Sequence, residues 1–211
     1  LSDARLDALL RRARLLGPRK ADANRRRAKI RPPALLFFTD PGRTPEAAEV
    51  IARLPPGSAV VYRAFGAAEA LETGRRLLAR ARRRRVLFLV GADAALAAAL
   101  NADGLHLPER LAARAGDNAR LRRRFMLTAA AHGAPAVSRA RRAGVQAVVL
   151  SPVFPSRSPS AGRPLGALRF RVICRGAGLP VYALGGITER TARRLQASGA
   201  AGLAGIEVFL P

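Results

Sequence analysis

The chain has 211 residues, 38 of them basic and 14 acidic, for a net charge of +24, and 49% are hydrophobic. That length and apolar content suit one domain with a full core and exclude disorder of the whole chain. With one cysteine (Cys174) and no apolar run near the ~20 residues of a membrane span, an internal disulfide framework, a cysteine-rich metal site and a transmembrane chain are excluded, and a cytoplasmic protein is the expectation.

Residues 1–33 differ from the rest, with eleven basic and three acidic residues. An amphipathic basic pattern predicts a helix over 2–16, without the continuous apolar stretch of a secretory signal. A basic linker from Gly17 to Pro33 follows. After Pro33 short apolar segments recur at 34–38, 58–62, 86–90, 104–107, 125–130, 147–150, 180–184 and 202–206. They have strand length and are too apolar for a half-exposed sheet. Helical patterns lie between them, from Thr44 to Leu54, Ala67 to Arg80, Asp93 to Leu100, Ala134 to Ala143 and Thr188 to Ala197. Thr44-Pro45-Glu46 and Thr188-Glu189 read as helix starts, with a capping hydroxyl and acids in the first turn. Cys174 falls in the helix before strand seven, as packing rather than chemistry.

Eight alternating strand–helix units demand a parallel sheet with helical crossovers, and the number favours a closed, compact (β/α)8 TIM barrel over 34–211. The sequence stops at Pro211, so the eighth helix is expected to be missing or reduced, with helix 2–16 covering the exposed strand flank. Active sites of such barrels lie at the C-terminal strand ends. The arginine runs Arg82–Arg85 and Arg122–Arg124 precede strands three and five, on the opposite face. Nearly all cations are arginine, as in a GC-rich genome; only Lys20 and Lys29 are lysine. The displaced charge, 5% aromatic content and absence of Trp all weaken a nucleic-acid reading.

The strand ends give a shortlist: Thr39-Asp40, Arg63, Gly91, His106 leading to Glu109, His132, Ser151, Gly185-Gly186 and Gly205-Ile206-Glu207. Both histidines of the chain fall on this rim. Gly185-Gly186 lets backbone approach a ligand, and the following helix start offers amides to an anion. Ser156 and Ser158 add hydroxyls, and Arg157 a charge. Together these point to a small phosphorylated ligand held between the loops after strands six, seven and eight.

The order of these pieces resembles the thiamine phosphate synthase / TenI family. The matching segments are LLFFTD (35–40), VVYR (60–63), NADGLHLPE (101–109), TAAAH (128–132), LSPVFPSRS (150–158), VYALGGI (181–187) and AAGLAGI (200–206). The resemblance implies thiazole phosphate bound by Ser156, Ser158, Gly185, Gly186, Gly205 and Ile206. From the strand ends, His106 and Ser151 are further candidate substrate contacts, and Arg63 either orients the substrate or pairs with a local acid. In the synthases an aminopyrimidine diphosphate ionises, magnesium and cations stabilise the departing pyrophosphate, and the thiazole nitrogen attacks.

This sequence departs from that pattern where the pyrophosphate charge is handled. The family's Q-x-R-x-K reads Val61-Tyr62-Arg63-Ala64-Phe65, and its Asn-Asp pair reads Gly91-Ala92. The second magnesium-binding Asp falls at Leu111, the serine before the family histidine at Ala130, and the loop lysine at Pro159. Asp93 and Glu109 are the residues from which a displaced magnesium site would have to be built. The TenI branch is a thiazole tautomerase that needs no magnesium and shuttles a proton through the histidine matched by His132. The expectation is therefore a thiazole-phosphate-binding barrel, synthase-related as a transferase or acting as a tautomerase. The alternatives are a non-catalytic phosphate-ligand barrel and, last, a nucleic-acid binder using the 1–33 arm.

Overall fold

A computed structural model describes residues 3–17, 33–113, 115, 125–156, 158 and 162–210. Most of the basic linker, Arg122–Arg124, Arg157 and Pro159 lie outside the described residues. Eight strands close into a parallel barrel in sequence order: β1 (Leu35–Phe38), β2 (Ala59–Tyr62), β3 (Leu87–Gly91), β4 (Gly104–Leu107), β5 (Met126–Ala131), β6 (Ala147–Leu150), β7 (Val181–Ala183) and β8 (Gly202–Gly205). Phe37 of β1 pairs with Val60 on one side and Gly205 on the other, which closes the ring.

The apolar strand runs follow from a sheet covered on both faces. Alternate residues Leu36, Phe38, Ala59, Val61, Leu89, Ala147, Val149, Tyr182 and Ala204 form one buried cluster, the barrel interior. Their neighbours Leu35, Phe37, Val60, Phe88, Val90, Leu105, Leu127, Val148 and Leu203 join a second cluster with the helix faces. The period of two along each strand thus fixes which side chains reach the barrel mouth.

The outer layer contains α1 (Asp3–Arg14), α2 (Ala47–Arg53), α3 (Ala70–Arg83), α4 (Ala94–Ala99), α5 (Glu109–Ala112), α6 (Ala134–Arg142), α7 (Gly166–Gly176) and α8 (Glu189–Arg193). The helix α1 lies against α8 and β8. Its apolar stripe Leu6, Leu9 and Ala13 is buried, as is Leu16 just beyond it. Fully burying a leucine is worth roughly 1.5–3 kcal/mol, so this stripe makes α1 part of the folded domain. The chain after α1 is also stitched down, because Ala197 and Gly199 donate their N–H groups to the carbonyls of Leu15 and Leu16. Beyond β8 a short 3-10 turn, Glu207–Phe209, sets Phe209 edge-on to Phe37 at 5.8 Å.

Two helix starts differ from each other. Thr188 caps α8 as the sequence predicts: its hydroxyl accepts from the Thr191 N–H, and the Thr191 hydroxyl accepts from the Thr188 N–H. Thr44 does not cap α2. Its hydroxyl accepts from the Asp40 N–H at 2.7 Å and donates to the Asp40 carbonyl at 2.9 Å, so it closes the loop after β1, and α2 begins at Ala47. The helix α8 is also shorter than the pattern Thr188–Ala197, giving way to turns after Arg193, with Ala197 at φ 55.

Candidate active site at the barrel mouth

Arg63 follows β2 and reaches across to the end of β1. Its Nε–H donates to the Thr39 carbonyl at 2.7 Å, and Nη2 donates to Asp40 Oδ2 at 3.0 Å. The Arg63 N–H donates to the Thr39 hydroxyl, which fixes the base of the side chain. The guanidinium lies 5.0 Å from the Phe65 ring and 5.8 Å from that of Phe38, within cation–π range. Burial draws the Arg63 pKa down, and Asp40 opposes that shift. Phe65 is 69% exposed and sits at φ 50, a left-handed conformation costly for a bulky residue. A side chain at position 91 would begin 3.1 Å from Arg63 Cγ. A side chain there would need the arginine stem to shift by a few tenths of an ångström.

Below the mouth, His106 is buried with its ring edge-on to Phe38 at 5.0 Å and its Nδ1 2.9 Å from the Thr128 hydroxyl. Burial, then the Arg63 charge, pushes its pKa down to about 3. It is a neutral imidazole at physiological pH and does not supply a cation.

His132 has the opposite setting, exposed at the end of β5. Its Nδ1 is 2.8 Å from the Ser151 carbonyl oxygen. A carbonyl only accepts, so Nδ1 carries the proton and donates it, and the lone pair of the neutral ring resides on Nε2. The Ser151 hydroxyl lies 3.4 Å from the same Nδ1. The His132 backbone N–H donates to Glu109 Oε2 at 2.9 Å, and Arg139 Nη2 donates to Glu109 Oε1 at 3.0 Å. Neither Arg139 nor this use of Glu109 is evident in the sequence, because the partners are 23 and 30 residues apart.

The loops after β6 and β7 are stitched together. Val153 and Phe154 donate their N–H groups to the carbonyls of Leu184 and Gly185. Gly185 and Gly186 take φ 94 and 62, which glycine adopts freely. A Cβ at Gly185 would strike Pro152 at 2.8 Å, and one at Gly186 would strike Phe154 and the Pro155 carbonyl. Ser158 donates its N–H to the Ser156 hydroxyl at 3.3 Å, which ties these two loop positions together. The Arg194 guanidinium stacks on Phe154 at 5.1 Å, placing a cation beside the loop that the strand-end shortlist omitted. The amides of Thr188 and Thr191 are engaged in the α8 capping box, so an anion at this helix start would meet the amides between them, those of Glu189 and Arg190. Gly205 leaves room for Val208 of the 3-10 turn, and Ile206 packs on the barrel interior.

The residues at the family's magnesium positions do not fit the ion. Gly91, Ala92 and Leu111 offer no side-chain oxygen where the family resemblance places metal ligands. Asp93 Oδ1 accepts from the Leu96 N–H at 2.8 Å and caps α4. Both oxygens of Glu109 are engaged as described. Among the described residues no three His, Cys, Asp or Glu side chains converge. Asp93 Oδ1 and both Glu109 oxygens thus take part in local structure.

The family model described as thiamine monophosphate synthase, TMP-TENI, matches residues 35–209. A putative thiamine-phosphate synthase 2 of Aquifex aeolicus is 32% identical over 60% of this chain and 67% of its own length. The thiamine-phosphate synthase of Synechococcus sp. (strain WH7803) is 27% identical over 89% of this chain, yet only 55% of its own length is spanned. A thiamine phosphate pyrophosphorylase structure from Pyrococcus furiosus superposes with a TM-score of 0.72 at 26% identity, covering 84% of this chain and 87% of that one. FabK from Thermotoga maritima, 17% identical with a TM-score of 0.63 over 85% of this chain and 59% of that one, shares the fold alone. A closed eight-stranded barrel carrying these strand-end residues, with the family model matched along nearly all of it, establishes that the chain belongs to the thiamine monophosphate synthase (TMP-TENI) family.

Proposed function

We propose that the chain binds a phosphorylated thiazole, or a close relative of one, at the barrel mouth and moves a proton on it through His132. The reading rests above all on the ring of His132, whose Nδ1–H is held by the Ser151 carbonyl while Nε2 keeps its lone pair for the ligand. Nε2 takes a proton from one position of the bound ring, and the same group returns it at another. The imidazolium formed in between keeps its Nδ1–H···O=C bond, which stabilises the charge. No oxidant or leaving group is required. Ser156, Ser158 and the Gly185-Gly186 turn are the proposed phosphate contacts, and Arg63, His106 and Ser151 line the ring side. Gly205 and Ile206 shape the edge near β8.

Synthase chemistry is disfavoured by the same mouth. A departing pyrophosphate needs concentrated positive charge, whereas Arg63 is already paired with Asp40 and Phe65 stands in place of a lysine. That pairing also supports a second reading, a phosphate-ligand barrel without catalysis. Purified protein given the thiazole phosphate tautomer separates the two. Proton transfer is expected, followed as isomerisation or as deuterium uptake from solvent, and His132→Ala is expected to lower kcat by ~100-fold or more with little change in KM. Isomerisation that survives His132→Ala refutes the catalytic role. Magnesium-dependent joining of thiazole phosphate to aminopyrimidine diphosphate refutes the whole reading.

A further inference from the structure

We infer that Glu109, braced by Arg139, is the positioning residue that sets His132 in place. The inference rests on the proton-transfer reading for its activity arm and on geometry alone for the rest.

His132 lies between two neighbouring strand ends. On the β6 side its ring donates Nδ1–H to the Ser151 carbonyl at 2.8 Å. On the β4 side its backbone N–H donates to Glu109 Oε2 at 2.9 Å. Glu109 is the first residue of α5, immediately after the β4 turn, so its carboxylate is anchored on the adjoining βα unit. Its other oxygen accepts from Arg139 at 3.0 Å, and Arg139 sits in α6, the helix that follows His132. One carboxylate therefore joins three places: the β4–α5 turn, the backbone of the proposed proton carrier and the helix behind it. Hydrogen bonds to an ionised group are the stronger kind. An apolar residue at 109 would release both contacts at once.

The consequence concerns the ring as much as the backbone. If the His132 amide is released, the loop is free to shift relative to Ser151, and the Nδ1–H···O=C bond loses its alignment. An unconstrained neutral imidazole favours the Nε2–H form, which places a proton where the proposed base needs its lone pair. Glu109 thereby selects a tautomer without touching the ligand. Glutamine at 109 keeps an amide oxygen for the His132 N–H but has only an amide where Arg139 meets a charge, so it is the conservative variant.

The test uses nitrogen NMR of the ring of His132 in the full chain, with His132→Gln to assign the signals of the two histidines. Wild type is expected to show mainly the Nδ1–H tautomer at mildly alkaline pH. Glu109→Ala is expected to move the ring towards the Nε2–H form, and Glu109→Gln to restore most of the wild-type pattern. Arg139→Gln, at an exposed position, gives an intermediate change and guards against a Glu109→Ala chain that fails to fold. With thiazole phosphate tautomer as substrate, Glu109→Ala is expected to lower kcat by about tenfold or more with KM within about twofold. A ring spectrum unchanged in both Glu109→Ala and Arg139→Gln overturns the inference. Should wild type fail to turn over the thiazole while the tautomer shift is seen, the proton-transfer reading fails and the positioning of His132 stands.

Discussion

His106 lies under the mouth against Phe38 and Thr128, and its burial has a consequence for stability. The unfolded chain protonates this imidazole near 6.5, whereas the folded chain does so only at about 3. Between those values the unfolded state binds more protons. The contribution is therefore fully present above pH ~6.5 and is lost as pH falls towards ~3, by at most about 1.4 kcal/mol per unit. His106→Asn, whose amide still reaches the Thr128 hydroxyl, removes this titration. Wild type is expected to lose more of its urea midpoint than His106→Asn between about pH 7 and about pH 4.5; parallel losses would show that His106 is not the group responsible. At this scale sequence reasoning found both histidines, since strand ends locate them. The family resemblance singles out His132 for proton transfer, but that His106 is a buried, neutral residue is learned only from its packing on Phe38 and Thr128, and the ring orientation of His132 only from the Ser151 carbonyl.

The strands were readable because burial on both faces leaves continuous apolar runs, and the alternating helices then dictate a parallel barrel. Helix starts were only partly readable. Thr44 and Thr188 present the same kind of signal, yet the Thr44 hydroxyl has a nearer partner in Asp40 and never reaches α2. The turn after β7 was readable as a glycine pair, but its reason lies in the β6 loop lying against it. Gly186→Ala would place a methyl on Phe154 and the Pro155 carbonyl, at a φ of 62 that costs an L-residue roughly 1–2 kcal/mol. The stitched loops would have to separate, and Ser156 and Ser158 would move with them. The expected outcome is a barrel that still unfolds cooperatively but binds a phosphorylated thiazole at least ~10-fold more weakly by calorimetry. Equal affinity would remove the proposed phosphate contacts from this turn.

Across the whole molecule the barrel separates what keeps the chain folded from what the mouth can do. Its strands and sheet–helix core hold the fold, while the mouth carries Gly91, Ala92, Leu111 and Phe65 where the family resemblance puts acids, an amide and a lysine. These losses act together. Restoring acids alone through Ala92→Asp with Leu111→Asp adds negative charge to a mouth where Arg63 is bound to Asp40. Pyrophosphate would then meet the added carboxylates while the Arg63 charge stays committed to Asp40. Adding Phe65→Lys supplies a cation and frees the face of the Arg63 guanidinium, at the same backbone φ of 50. The triple variant is therefore expected to bind inorganic pyrophosphate with magnesium at least ~10-fold more tightly than the acid-only variant, the effect of about 1.4 kcal/mol. Titration calorimetry with and without magnesium measures the difference. Equal binding by the two variants would mean that the metal acids alone limit this mouth, and that the Arg63–Asp40 pair and Phe65 are incidental to the loss.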